Sequence, residues 1–296
     1  PPPVSAQELL NPSTSVLNID PATPLDTAKQ YVHQNFLHGT KTTLIRCNGF
    51  FYGWDGTRYP IVEDETLRAE LYSFTEAGTY FRDGVSKSFN PNQTKVNQVL
   101  DALKAHVQLP SGTQAPSWRD HRIHPPANEI VTCENGLVHL PKRKLLEHTP
   151  VFLSHNALDY DFNPDAPEPE QFLTFLDSIL GDDPEAEDLL QEIVGYIVSG
   201  AMSLQKIFAI VGPKRAGKGV LGRLIVALIG AVNACSPSLG SFATNFPLQP
   251  LLGKTLALMS DARLDSQVNQ KAIVEHLLRV SGEDEVNVAR KNRTDW

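Results

Sequence analysis

Residues 206–220 read KIFAIVGPKRAGKGV. The first six are apolar and β-rich, the pattern of a short buried strand. Gly212 and Gly217 then bracket Pro213, Lys214, Arg215 and Ala216, and Lys218 opens an almost wholly apolar helix over residues 220–229. Strand, glycine-bounded loop and helix together are the setting of a phosphate-binding loop. Its glycines let the backbone curl until successive N–H groups face inward. The helix brings its positive dipole end to the same spot, and Lys218 adds a mobile full charge for β and γ phosphates. The segment from Gly212 to Val220 is therefore expected to bind nucleotide. The motif ordinarily continues with Ser or Thr, whose hydroxyl ligates Mg²⁺. Here Gly219 and Val220 follow, and neither holds a metal through its side chain. Nucleotide binding tolerates that change better than hydrolysis does.

A length of 296 residues predicts two domains and a sizeable core. Hydrophobic residues at 41% and charged ones at 20% are ordinary for a globular chain in water. With no run of eighteen apolar residues and no signal-type start, neither a membrane span nor secretion is expected. Cys47, Cys133 and Cys235 have no metal-type spacing and suit a reducing cytosol. His121 and His124 lack Cys or carboxylate partners at ligand spacing and read as exposed loop histidines. A net charge of −8 argues against DNA binding over the whole surface, so any DNA contact must be local, as in a lined channel. The chain starts PPPVSAQ and stops at Trp296 after a basic run, which suggests a piece of a longer protein.

In chain order, residues 1–24 are rich in Pro, Ser and Thr and read as a tail or linker. A first helix is expected over residues 27–36, capped by Asp26. Three β-type runs over 43–47, 50–54 and 57–62 are separated by Asn48-Gly49 and Asp55-Gly56, which predicts an antiparallel meander. Phe50, Phe51, Tyr52, Trp54 and Tyr59 are placed to stack on bases, but alternating aromatics in a hairpin fit cross-strand packing better. Amphipathic helices are expected over 65–81 and 93–107. A Pro-rich loop over 109–127 carries Trp118. A second hairpin turns at Asn135-Gly136, followed by Lys142, Arg143 and Lys144, read as a solvated charge run. Residues 159–169 read as an acidic, proline-laden linker. Helices over 170–180 and 185–198 lead into the loop strand. Downstream, residues 256–260 form an apolar strand ending on Asp261, the expected place for an acid that holds Mg²⁺. A helix over 269–280 and a strand through Val286 and Val288 lead to Arg290 and Lys291, placed to grip a DNA phosphate.

The loop, LLGKTLALMSDAR (residues 251–263), HLLRVSGEDEVNVARKNRTDW (276–296) and LQEIVGYIVSG (190–200) together resemble the superfamily 3 helicases of phages and plasmids, of the poxvirus primase–helicase type. Residues 50–54, 67–74 and NGLVHLPKRKLLEHTP (135–150) are similar to the amino-terminal domain that precedes the ATPase in such proteins. The resemblance implies an α/β chain: a P-loop AAA+ type ATPase core, incomplete at its C-terminus, over 204–296. Before it come a mixed α+β amino-terminal domain over 25–160 and a linker with a helical pair over 161–203. It implies a hexameric ring on single-stranded DNA in phage or plasmid replication, driven by ATP and Mg²⁺ in the host cytoplasm, with a primase as partner. Lys218 would contact the phosphates, Asp261 would fill the Walker B position, and Arg290 and Lys291 would sit on a pore hairpin.

The leading reading is thus a DNA helicase motor. A non-catalytic module that senses nucleotide for DNA binding or assembly is favoured by the missing hydroxyl. Another phosphate-loop enzyme, such as a kinase, rests on the loop alone. The resemblance also implies that a sensor asparagine and an arginine finger follow beyond Trp296, and such a finger contributes on the order of a thousandfold to hydrolysis. The expected behaviour is ATP binding with poor turnover. A steady-state ATPase assay on the isolated chain checks this, and robust turnover contradicts it.

Overall fold

The computed structural model describes residues 17–181, 183–243, 248–260 and 270–282. They divide into two compact units, one made of residues 17–54 and 60–113, the other of residues 55–59 and 114 onward.

In the first unit, α1 (Pro24–Asn35) starts three residues before its expected first residue, because Pro24 sits at N1, where a fixed φ suits the helix. Asp26 lies in the first turn rather than at the cap, its charge next to the positive dipole end. After β1 (Leu37–His38) and β2 (Lys41–Thr42) comes the predicted meander of β3 (Leu44–Cys47), β4 (Phe50–Gly53) and β5 (Ile61–Val62). Asn48 and Gly49, with φ of 48° and 81°, form the tight turn that pairs Cys47 with Phe50. α2 (Asp64–Glu76) ends five residues before the expected boundary. Gly78 is pressed against Ile19, where a Cβ would meet Cδ1 at 2.4 Å. The chain then turns back as β6 (Thr79–Arg82) and β7 (Val85–Ser88) around Asp83-Gly84. α3 (Gln93–His106) is capped by Asn92, whose Oδ1 accepts the Lys95 N–H at 3.0 Å.

α1 and α2 both pack on α3, and Tyr31, Leu67, Leu71, Val96 and Leu103 close the core. Phe51 is fully buried there, so packing claims it rather than base stacking. The expected tail is shorter than 24 residues. Ile19 is 2% exposed in this core and donates its N–H to Thr79 O at 2.9 Å.

The second unit includes the turn over residues 55–59. Asp55 Oδ1 accepts the N–H groups of Thr57 and Arg58, each at 2.9 Å. Burial alone would raise the Asp55 carboxyl, but these bonds, the Thr57 hydroxyl and the Arg58 charge hold it below the usual carboxylate range. Tyr59 is fully buried and donates its N–H to Ser154 O at 2.7 Å. Short β8 (Ser117–Trp118) pairs with β12 (Phe152–Leu153). β9 (Ile130–Cys133), β10 (Gly136–His139) and β11 (Lys144–Leu146) form an antiparallel sheet. Cys133 pairs with Gly136, so the turn is Glu134-Asn135, one residue earlier than expected. Gly136 is inside β10, where β11 comes so close that a Cβ would meet Leu146 O at 2.4 Å.

The start of the expected linker is docked. Asn135 and Phe162 exchange hydrogen bonds of 2.9 and 3.0 Å, and Leu158 donates its N–H to Thr132 O at 2.8 Å. α4 (Glu170–Leu180) and α5 (Pro184–Ser199) follow, with Asp183 capping Ala186 and Pro184 in the first turn. α6 (Lys218–Ile229) leads to β13 (Ala234–Cys235), which pairs in parallel with β14 (Leu256–Ala257). α7 (Gln270–Ser281) buries Ile273 against Phe242 and Leu248.

The strand expected over residues 206–211 does not form. Among the described residues the segment pairs with no strand, and Ile207, Ile210 and Val211 are exposed, Val211 at 92%. β propensity is realised only on a sheet edge, and among the described residues no neighbour supplies one. Instead of the multi-stranded parallel sheet of an AAA+ core, the described residues present α6 beside a single two-residue parallel pair.

His155 gives this unit a pH dependence. Burial lowers its pKa from 6.5, opposed by the contact of Nδ1 with Tyr59 O at 3.2 Å. As pH falls, the unfolded chain takes up the proton near its ordinary value while the folded imidazole stays neutral. This contribution is complete above about pH 6.5 and is lost below it. The urea midpoint should therefore fall between about pH 7.5 and about pH 5.5. His155→Gln should fall less, and an equal fall in both contradicts the assignment.

Candidate nucleotide-binding site

The site begins with backbone conformation. Arg215 and Gly217 have φ of 65° and 75°, so the chain passes twice through the left-handed region just before α6. Gly217 needs its lack of a side chain twice over. Its φ is costly for other residues, and a Cβ would lie 2.8 Å from Ile179 Cγ2 and 3.2 Å from Phe175 Cε2, both on α4. The N–H groups of Val220 and Leu221 bond to Gly217 O at 2.9 and 3.0 Å. That leaves Lys218 and Gly219 N–H without an intrahelical acceptor at the positive end of the helix. Residues 212–216 are open to solvent.

Lys218 folds back over the loop. Its Nζ donates to Gly212 O at 2.8 Å and to Pro213 O at 2.5 Å. An ammonium at the loop centre, free N–H groups at a helix start and a left-handed junction fit an anionic phosphate. A divalent cation is different. Gly219 and Val220 offer no side-chain oxygen, so the loop supplies no ligand of its own to Mg²⁺. The structure thus brings Gly212, Pro213, Lys214, Arg215, Ala216, Gly217, Lys218, Gly219 and Val220 into one turn and the first turn of α6. Asp261, Arg290 and Lys291 lie outside the described residues. α6 is itself seated on the segment after β14, since a Cβ on Gly222 would touch Leu258 Cδ2 at 3.2 Å.

Elsewhere, His124 departs from its expected exposure. Its Nε2 hydrogen-bonds Asp120 Oδ1 at 2.6 Å, and its ring stacks on Trp118 at 3.9 Å and 7°. The four-residue spacing of Asp120 and His124 was the available signal, but in a proline-rich loop spacing does not fix proximity. No group of three His, Cys, Asp or Glu among the described residues is arranged to hold a metal. Lys142, Arg143 and Lys144 are all exposed, the last on the outer strand β11. No helix of the described residues is long and apolar enough to cross a membrane.

Two compact units, the second with a phosphate-fitting turn behind α4 and α5, define a mixed α/β chain. Residues 30–181 match the family described as D5 N terminal like, the amino-terminal domain of D5-like primase–helicase proteins. The match takes in just over half of the chain, and the chain belongs to that family. It ends with α4, short of the loop at residue 212. No curated protein matches the chain.

The two bracketing glycines should respond differently to a methyl group. Gly217→Ala forces a left-handed side chain against Ile179 and should cost about 1–2 kcal/mol. Gly212→Ala meets only Lys218 Nζ, at 4.0 Å, and should change stability little. Urea unfolding of the two variants checks the order, and equal losses contradict it.

Proposed function

We propose that this chain belongs to a replication protein whose motor binds ATP at the 212–220 turn and couples its hydrolysis to movement on single-stranded DNA. The observation that carries the reading is Lys218, held by Gly212 and Pro213 carbonyls at the start of α6. A bound nucleoside triphosphate would supply the anionic β and γ phosphates and the scissile bond. Lys218 would leave its carbonyls to pair with those phosphates, and the Lys218 and Gly219 N–H groups would receive phosphate oxygens. Family membership supports the replication setting. The hexameric ring, the primase partner, Asp261 as the Mg²⁺ acid, and Arg290 and Lys291 as DNA contacts are parts of this proposal, carried by the resemblance.

The second reading is a module in which nucleotide governs assembly without being hydrolysed. One observation favours it: at the position of the usual metal-binding hydroxyl stand Gly219 and Val220.

ATPase rates of the full-length protein, with and without single-stranded DNA, test the motor. DNA-stimulated turnover should fall about a hundredfold or more in Lys218→Ala. Gly219→Thr should gain little in a working ATPase and much in a sensor. Nucleotide binding lost in Lys218→Ala, with no turnover in either protein, selects the assembly module.

A further inference from the structure

Lys142, Arg143 and Lys144 are consecutive and exposed, and among the described residues none of them makes an ion pair or a side-chain hydrogen bond. Other cations meet carboxylates: Lys104 Nζ reaches Asp64 Oδ2 at 2.8 Å and Arg279 Nη2 reaches Glu275 Oε1 at 2.9 Å. Between His139 and Thr149 the only acid is Glu147. In a chain of net charge −8 such a cluster runs against the average.

The backbone holds the three in place. Lys142 ends a single helical turn, Leu140–Lys142, and Arg143 donates its N–H to Leu140 O at 3.1 Å. Arg143 has a φ of 48°, in the left-handed region, where Gly or Asn would sit at lower cost. Lys144 opens β11 opposite His139, and Glu129 is engaged by His139 Nε2 at 2.9 Å rather than by Lys144. β11 is the outer strand of its sheet, so part of its backbone N–H groups point away from β10. Leu140 and Leu145, 40% and 38% exposed, flank the cations. Like charges fixed side by side repel one another, and a polyanion relieves that repulsion. A small inorganic anion would leave the leucines and the open strand edge unused. A chain with one charge per unit and apolar faces between its charges uses all of them.

We infer that the 142–144 corner and the outer edge of β11 bind single-stranded DNA, the cations on its phosphates and Leu140 and Leu145 against its bases. The corner lies within the matched residues 30–181 and does not require the 212–220 turn to bind nucleotide. The choice of DNA among polyanions rests on the replication reading.

Fluorescence anisotropy of a labelled oligothymidylate, read over a series of salt concentrations, tests the inference. Each phosphate contact on a single strand contributes about 0.7 to the slope of log affinity against log salt. Replacing the three cations together (Lys142→Gln, Arg143→Gln, Lys144→Gln) should flatten that slope by about 2 and weaken low-salt binding about tenfold or more. The side chains are exposed, so the urea midpoint of this variant should match the wild type. Exchanging charge for charge (Lys142→Arg, Arg143→Lys, Lys144→Arg) should keep the slope. Lys41→Gln with Lys271→Gln, two exposed cations elsewhere, should keep both slope and affinity. The inference is overturned if the wild type does not bind the oligonucleotide, or if the triple Gln variant keeps the wild-type slope. It is also overturned if polyglutamate at equal charge concentration displaces the DNA, as from a surface that takes acidic protein. Binding that depends on these cations in a protein without ATP turnover leaves the corner standing while the motor reading fails. DNA-stimulated turnover, with DNA affinity unchanged in the triple Gln variant, leaves the motor standing while the corner fails.

Discussion

The second unit depends on satisfying one buried phenol. Tyr59 has no exposed surface, and burying such a ring yields roughly 2–3 kcal/mol only if the hydroxyl is not stranded. The hydroxyl donates to Pro150 O at 2.5 Å and accepts from Arg119 Nη1 at 2.6 Å, while the backbone N–H reaches Ser154 O. Burial raises the phenol pKa against the pull of the Arg119 charge, so the group stays neutral. These bonds pin both ends of β12, which pairs with β8 and sets Arg119 beside the ring. The strand leads directly into residues 154–158, where Leu158 docks on Thr132.

From that segment the order reaches α6 through one amide. Asn233 is 2% exposed, and its Nδ2 donates to Ala157 O at 2.7 Å and to Ile229 O at 2.6 Å. The end of α6 is thereby fixed to the segment that carries Leu158. Its start is fixed by the fit of Gly217 against α4. The helix that closes the matched family region thus forms the bed of the phosphate-fitting turn, although the turn lies outside the match.

Elements whose causes are local were legible in the residues. Asn48-Gly49 selects its own turn geometry, α3 has an unbroken apolar stripe after an Asn cap, and Pro184 starts α5. Asp83-Gly84 carries the same turn signal as Asn48-Gly49, but helical spacing from Leu67 to Ala77 ran on and concealed it. Just past the end of α2, Gly78 leaves room for Ile19, a residue far away in the chain and invisible to periodicity. Strand β11 was hidden by Lys142, Arg143 and Lys144, since solvated charge obscures alternation on an outer strand. The run over 206–211 shows the opposite failure: a strand needs a neighbour, and no residue within it says whether one is present. The turn over 212–218 before a helix was legible because glycine spacing sets such a turn by local backbone conformation. The buried Thr132 Oγ1, which has no hydrogen-bond partner among the described residues, was not legible, because a missing partner is a property of the packed chain.

The contacts of Lys218 have a consequence for how an anion would arrive. With Nζ lodged on two carbonyls, the turn does not hold an uncompensated cation ready for capture. On the proposed reading, an incoming phosphate would exchange with those carbonyls, as a counter-ion does on a resin, and its affinity would be the difference between two sets of contacts. Multivalent anions would gain from such an exchange, since they could also reach the N–H groups of Lys218 and Gly219. A monovalent ion would replace the carbonyls and little else. On the proposed reading, the turn would thereby be graded by the charge of its visitor.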